Sequence, residues 1–258
     1  MRLMKRILSA AAVLALSASL LVGCSSGTAS SVPVSASSAA ESTVSSVEET
    51  ASSAVDENEA AAAQLLNDLT GSYQELWPVI LADEYKQTWL DDCTALVGED
   101  NAEAAFEKLS SMVTGDVYGE DAVKAYANGG RAYFCGFTNS LAILTFDGET
   151  STISGTDKDG NVLFSHTYHY IGMEPVRGLY EFQSDDADSG EFTYFFLAPD
   201  TSAETYHIEF RYGSDAEALS QYDTGEYAYW LASGISTDCD QTMIDNCIEL
   251  FCTENLAG

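Results

Sequence analysis

Apolar residues first gather in one block, Ile7 to Val22, relieved only by Ser9, Ser17 and Ser19 and preceded by the basic residues Arg2, Lys5 and Arg6. The block is shorter than a comfortable bilayer span, and Ser25-Ser26-Gly27 follows it where a retained helix would have a basic stop. Residues 1–23 therefore read as an export signal. From Ser25 to about Val55 the chain is Ser, Ala, Thr, Val and Glu with a single proline, Pro33. So few large apolar groups cannot offset the entropy of ordering the chain. Residues 24–57 are expected to be a disordered tether, and residues 58–258 one folded domain.

Within that domain the apolar spacing is helical at first. Asn58–Leu69 is rich in Ala, Gln and Leu. From about Glu75 to Leu96, Leu76, Val79, Ile80, Tyr85, Trp89 and Leu90 recur at threes and fours, with Pro78 opening a new turn. Asn101–Met112 carries the stripe Ala105, Phe106, Leu109 and Met112, and Glu120–Ala127 adds a short fourth helix. Gly71, Ser72 and Tyr73 read as an interruption. After Gly129-Gly130 the period becomes two, predicting strands at Arg131–Phe137, Leu141–Phe146, Ser151–Thr156, Asn161–Ile171, Gly178–Gln183, Phe192–Leu197 and Thr205–Tyr212. Turn formers separate them, among them Asp147-Gly148 and Asp157-Lys158-Asp159-Gly160. No helical segment long enough for a parallel crossover lies between these strands, so an antiparallel meander closing into a small barrel is expected. Helix returns at Asp215–Gln221 and at about Asp238–Glu254, where Met243, Ile244, Cys247, Ile248, Phe251 and Cys252 form a stripe. The fold class is α+β: an antiparallel β-barrel flanked by N-terminal and C-terminal helices.

Charge narrows the partners. The 258 residues carry 41 acidic and 10 basic side chains, a formal net charge of −31. Residues 1–23 hold three of the bases and no acid, so their removal leaves a still more anionic chain. Repulsion from phosphate excludes nucleic acid as an expected partner, whereas cations are attracted. Leu21-Val22-Gly23-Cys24 resembles a bacterial lipobox, which implies lipidation of Cys24 and an extracytoplasmic protein anchored to the cell membrane. Cys93, Cys135, Cys239, Cys247 and Cys252 then remain, an odd number that permits two disulfides and one free thiol. Cys239 and Cys247 are eight positions apart and Cys247 and Cys252 five, both poor spacings for a bond within one helix. Bridges from this tail back to Cys93 or Cys135 are favoured, and no Cys-x-x-Cys spacing suggests a thiolate zinc site.

The histidines are few, and all lie in the β region. On strand geometry His166 shares a face with Tyr168 and Tyr170, while His169 points the other way with Thr167 and Ile171. Thr205, His207 and Glu209 share a face opposite Tyr206, Ile208 and Phe210, so His207 and Glu209 present nitrogen and oxygen side by side. Zinc accepts that pair at roughly 2.0–2.2 Å if one or two more donors join. The expectation is that His207 projects into the enclosed side of the barrel. Asp157, Asp159 and Gly160 fail the calcium-loop pattern, since its sixth and twelfth positions are Val162 and Tyr168, and they read as a hairpin turn. Gly-x-Ser-x-Gly and His-Glu-x-x-His are both absent, so a binding role is expected rather than catalysis. The aromatic residues mostly alternate within predicted strands, where filling a sheet core accounts for them, and Trp230 is expected to plug a barrel end.

The stretch Tyr206-His207-Ile208-Glu209-Phe210-Arg211-Tyr212-Gly213-Ser214-Asp215, followed by Tyr227-Ala228-Tyr229-Trp230, resembles the ZinT-type zinc-binding family. Thr70-Gly71-Ser72-Tyr73-Gln74-Glu75-Leu76-Trp77-Pro78 is similar to that family's entry segment, and Tyr168-His169-Tyr170-Ile171-Gly172 to its middle strand and turn. The resemblance covers most of residues 64 to 256 and implies a lipocalin-like barrel, a bound zinc or related divalent metal ion, and a metal-uptake transporter component as partner. It places His207 at the second position of a His-aromatic-His pair, with Thr205 at the first and Asp200 or a neighbour at an isolated third histidine. Two of three imidazoles are thus replaced, which implies a weaker, carboxylate-richer site drawing on His207, Asp200, Glu209, His166 and His169. The alternative is a metal-free lipocalin-like module for a small ligand or a cell-surface partner.

Overall fold

A computed structural model describes residues 57–126 and 132–257; the expected signal, Cys24 and the tether up to 56 lie outside the described residues. Eight strands form a closed barrel in chain order: β1 (Gly71–Glu75), β2 (Ile143–Asp147), β3 (Thr152–Thr156), β4 (Val162–Met173), β5 (Tyr180–Ser184), β6 (Tyr194–Leu197), β7 (Ile208–Gly213) and β8 (Ala232–Ser236). Every neighbouring pair is antiparallel, and β1 seals the ring by pairing with both β2 and β8, Tyr73 lying opposite Leu144 on one side and Ser236 on the other. The meander thus closes as a lipocalin-like α+β barrel, and closure leaves no unpaired sheet edge.

The helices precede, interrupt and follow the strands. They are α1 (57–68), α2 (Leu76–Ile80), α3 (Lys86–Val97), α4 (Glu99–Val113), α5 (Glu120–Tyr126), α6 (Ser202–Thr205), α7 (Ala216–Leu219) and α8 (Gln241–Leu256). Asp215 and Asp240 start α7 and α8 by accepting first-turn backbone N–H groups, Glu217 and Ala218 in one case and Met243 in the other.

Three expectations change. Gly71–Glu75 is not a break before a helix but the strand that closes the barrel. Of the strand expected at Arg131–Phe137, the described part makes only isolated bridges at Phe134, to Thr114 and Trp230. Ala232–Ser236 is a strand that alternation could not flag, because four of its five residues are buried. Its Gly234 admits a close approach: a Cβ there would lie 3.1 Å from Ile208 Cγ1 and 3.4 Å from Tyr73 Cβ.

Two large cores hold most of the buried apolar residues, and a small third cluster forms around Ala122, Ala228 and Tyr229. The lumen holds Tyr73, Leu144, Phe146, Ile153, Phe164, Tyr168, Phe182, Phe195, Ile208, Phe210, Tyr212 and Trp230. Rings fill it: Phe164 stacks on Phe192 at 3.9 Å between centroids, Phe195 on Tyr212 at 5.3 Å, and Trp230 meets Tyr212 edge-on at 5.0 Å. The Trp230 indole N–H donates to Gly136 O at 2.9 Å, so its one polar atom is satisfied. The second core lies under the helices, where Leu76, Trp77, Ile80, Trp89, Cys93, Leu109, Ile244, Cys247, Ile248 and Cys252 pack with Ile235 of β8. The candidate site sits beside this second core.

Candidate functional site

A tight turn delivers the chain into β7. Thr201 begins α6, its backbone N–H donating to Glu204 Oε2 at 3.1 Å, and Tyr206 ends it in the left-handed region at φ 66°. Ile208, Phe210 and Tyr212 then enter the lumen core. Alternation sends His207, Glu209 and Arg211 to the opposite face. His207 therefore does not project into the barrel as expected; it lies on the outer wall against α8, with its Nδ1 3.9 Å from Cys247 Sγ. The lumen could not receive it, because aromatic rings already occupy that volume.

The imidazole is held on one side. Nδ1 lies 2.7 Å from Thr205 O. A carbonyl only accepts, so Nδ1 carries the hydrogen and Nε2 is left to meet a proton or a cation. The Thr205 hydroxyl reaches the carbonyls of His207 at 2.8 Å and Thr201 at 3.1 Å, so Thr205 braces the turn and is not a ligand. Burial alone would lower the His207 pKa. The adjacent Cys247 thiol, the Glu209 carboxylate and the Thr205 carbonyl outweigh it and push the pKa up to about 9.

Two carboxylates, Glu209 and Glu254, feel the charge of His207, and both also feel that of Asp200. Burial raises the pKa of half-buried Glu209, and the charges of Asp200 and Glu254 raise it further, while His207 and Arg177 pull it down. Exposed Glu254, at the end of α8, is likewise raised by burial of its carboxyl and by Asp200, and lowered by His207. Asp200 is an exposed loop residue between β6 and α6. Protons are thus taken up by Glu209 and Glu254 more readily than by free carboxylates, as expected where burial and neighbouring negative charge outweigh the pull of one imidazole.

The remaining expected ligands go elsewhere. His166 points to the lumen side, its Nδ1 2.8 Å from Asp186 and its ring 6.0 Å from Phe164. His169 faces outward, exposed, with Nδ1 2.6 Å from Asp185. Each histidine of β4 has its own aspartate near the β5–β6 connection, and neither joins His207. The Asp157 segment is a hairpin turn as read: Asp157 Oδ1 accepts from Asp159 N at 2.9 Å and Asn161 N at 2.8 Å. Among the described residues no disulfide is formed, and the five described cysteines are free. Among the described residues, no group of three or more His, Cys, Asp and Glu side chains stands where it would hold a metal ion.

No family model matches the chain, and no curated protein matches it. Its structure is similar to a zinc-bound ZinT-like domain. That domain, from AdcA of Streptococcus pneumoniae, is 15% identical over 72% of this chain and 89% of its own, with a TM-score of 0.46. Zinc-bound AdcA from the same organism is 16% identical over 70% of this chain, with a TM-score of 0.41, and the match spans 34% of that longer chain. The first of these carries the ZinT-like description that the sequence resemblance names, and both are zinc-bound proteins.

Sequence reasoning missed Cys247, Glu254 and Arg177 at this face. Cys247 and Glu254 are seven residues apart, which places them on one side of α8, and that spacing was available as a signal. Arg177 comes from the turn between β4 and β5, and nothing local ties it to β7. Arg211, next outward on β7, is fully buried and donates to the carbonyls of Leu219, Gln221 and Tyr227, holding the loop before β8. Tyr222 lies 4.4 Å from its guanidinium carbon and 4.2 Å from that of Arg177. Burial, with the charge of Arg177, lowers the Arg211 pKa to about 10. Arg211 is thus a structural clasp and offers no donor to a cation.

Proposed function

We propose that the chain is an extracytoplasmic, lipid-anchored barrel protein that binds a divalent cation, zinc foremost, on the outer wall at His207. The observation that carries this reading is the imidazole fixed through Nδ1 on Thr205 O, which leaves Nε2 available, together with its charge coupling to Glu209 and Glu254, both of which also feel the charge of Asp200. A divalent ion there would offset the mutual repulsion of the carboxylates and replace the proton on Nε2. Glu254 and Asp200 are exposed, so their side chains can turn toward the ring at little cost in packing. One imidazole with carboxylate oxygens gives weaker and less selective binding than several imidazoles would. Such a site suits an auxiliary that concentrates metal near an uptake system. The function is binding, without catalysis.

A metal-free reading is favoured by one observation: Glu209 already has two cationic neighbours, His207 and Arg177. In that case the face is internally neutralised and the domain serves as a surface interaction module. Equilibrium dialysis of the chain against zinc, followed by metal analysis of the protein, separates the two. The first reading expects about one zinc per chain, lost in His207→Ala. Absence of bound zinc at tens of micromolar free ion, or binding unchanged in His207→Ala, overturns it.

A further inference from the structure

We propose that Cys93 and Cys252 are a disulfide-forming pair that staples α8 to α3. Their sulfurs are 3.9 Å apart, and both residues are fully buried in the core beneath the helices, among Trp89, Leu109 and Ile248. A bond requires an approach of about 2 Å, within reach of side-chain rotation. The other thiols have different nearest partners. Cys135 Sγ lies 3.8 Å from Tyr133 O and Cys247 Sγ 3.9 Å from His207 Nδ1, while Cys239 is half-buried ahead of α8. The geometry thus chooses one pairing where the sequence leaves several open.

Closure transfers two electrons and two protons to a disulfide reagent, either glutathione disulfide or the active-site disulfide of a thiol oxidoreductase. One thiolate attacks a reagent sulfur and releases a thiol; the second attacks the mixed disulfide and releases the other. Full burial denies the reagent access once α8 is docked. The bond therefore forms as the chain folds, before the C-terminal helix packs. The pair closes a loop 159 residues apart, so it constrains nearly the whole barrel in the unfolded chain. The proposal is independent of cation binding, and it uses the exported reading only for where the oxidant is met.

The test is refolding of the full chain from denaturant in a glutathione redox couple, alkylation of free thiols and peptide mapping. The expected result is a dominant Cys93–Cys252 peptide. The oxidised protein should melt roughly 10 °C above the same protein after dithiothreitol. Cys93→Ser and Cys252→Ser each remove the link and leave the other residue alkylated, whereas Cys135→Ser retains it. Folded reduced protein exposed to glutathione disulfide should form it far more slowly. Wild-type protein that refolds with both thiols alkylated, or with either joined mainly to another cysteine, overturns the proposal whether or not the variants fold.

Discussion

The two faces of β7 follow opposite rules. Ile208, Phe210 and Tyr212 point into a lumen closed by stacked rings, while His207, Glu209 and Arg211 point outward under α8 and the loop before β8. In a lipocalin-like barrel the lumen is the usual place to look for a ligand, yet here it is a packed core. Two surface depressions, one lined by Tyr118, Gly119, Glu120, Asp121 and Glu226, the other running from Ala61 to Glu204, do not include His207. The chemistry that remains lies where a helix covers the barrel wall. Inner positions are governed by volume and outer ones by charge, and each can be broken separately.

The largest expected effect is on the inner face. Phe210 is fully buried and packs edge-on against Phe137 at 5.3 Å, so Phe210→Ala should cost about 3–5 kcal/mol in urea unfolding. If the zinc reading holds, the variant should keep its zinc affinity while it remains folded. A loss smaller than about 1 kcal/mol would mean that the lumen is not the main core. On the outer face the order reverses. His207→Ala should reduce zinc affinity roughly 100-fold or more, since even an outer partner of a metal ligand is worth about 10–100-fold. Calorimetric titration of both variants gives the crossing pattern. Equal effects on stability and binding in both would erase the division between the faces.

The sequence made the barrel legible because its longer strands alternate over turn residues, as at Asp147-Gly148 and Asp157 to Gly160. It also assigned His207 and Glu209 to the face opposite Ile208 and Phe210. What it could not supply was which face lies inside. That depends on how the sheet curls and where α8 docks, both set by contacts distant in sequence, such as Cys247 against His207. β1 and β8 were hidden for the same reason. Each has five residues, and Gly71, Ser72, Ala232 and Gly234 carry little pattern of their own. The β4 histidines were separable in direction, but only the fold shows each resting on an aspartate of the β5–β6 connection.

The outer face also has a pH signature. The folded pKa of His207 is raised to about 9 from its ordinary 6.5, and that of Glu209 is raised by burial and by the neighbouring carboxylates. A raised folded pKa means that the native state binds protons more readily than the unfolded chain. The contribution of His207 is then fully present below about pH 6.5 and lost as pH rises through about 9. Melting temperatures of wild type and His207→Ala should converge across that window, with wild type higher at its acid end. Zinc affinity should rise over the same range as the competing proton leaves Nε2. Parallel melting curves would place the ring in solvent and remove the electrostatic argument for this face.

The hairpin between β3 and β4 should show the opposite sign with a smaller amplitude. Asp157 accepts the backbone N–H groups of Asp159 and Asn161 and, through Oδ2, the Asn161 side chain at 2.9 Å; these bonds favour the carboxylate and lower its pKa from 3.8. A depressed folded pKa gives stability that is present above about 3.8 and lost as pH falls through the folded value. Solvent surrounds this turn, so screening keeps the effect small. Asp157→Ala should therefore melt slightly below wild type at neutral pH, and the two should converge in acid, where the wild-type carboxylate is protonated. Asp157→Asn, which keeps an acceptor, should fall between them at neutral pH. The two sites would then give wild-type-minus-variant curves that vanish at opposite ends of the pH scale, and matching curves would mean that net charge, not local geometry, governs both.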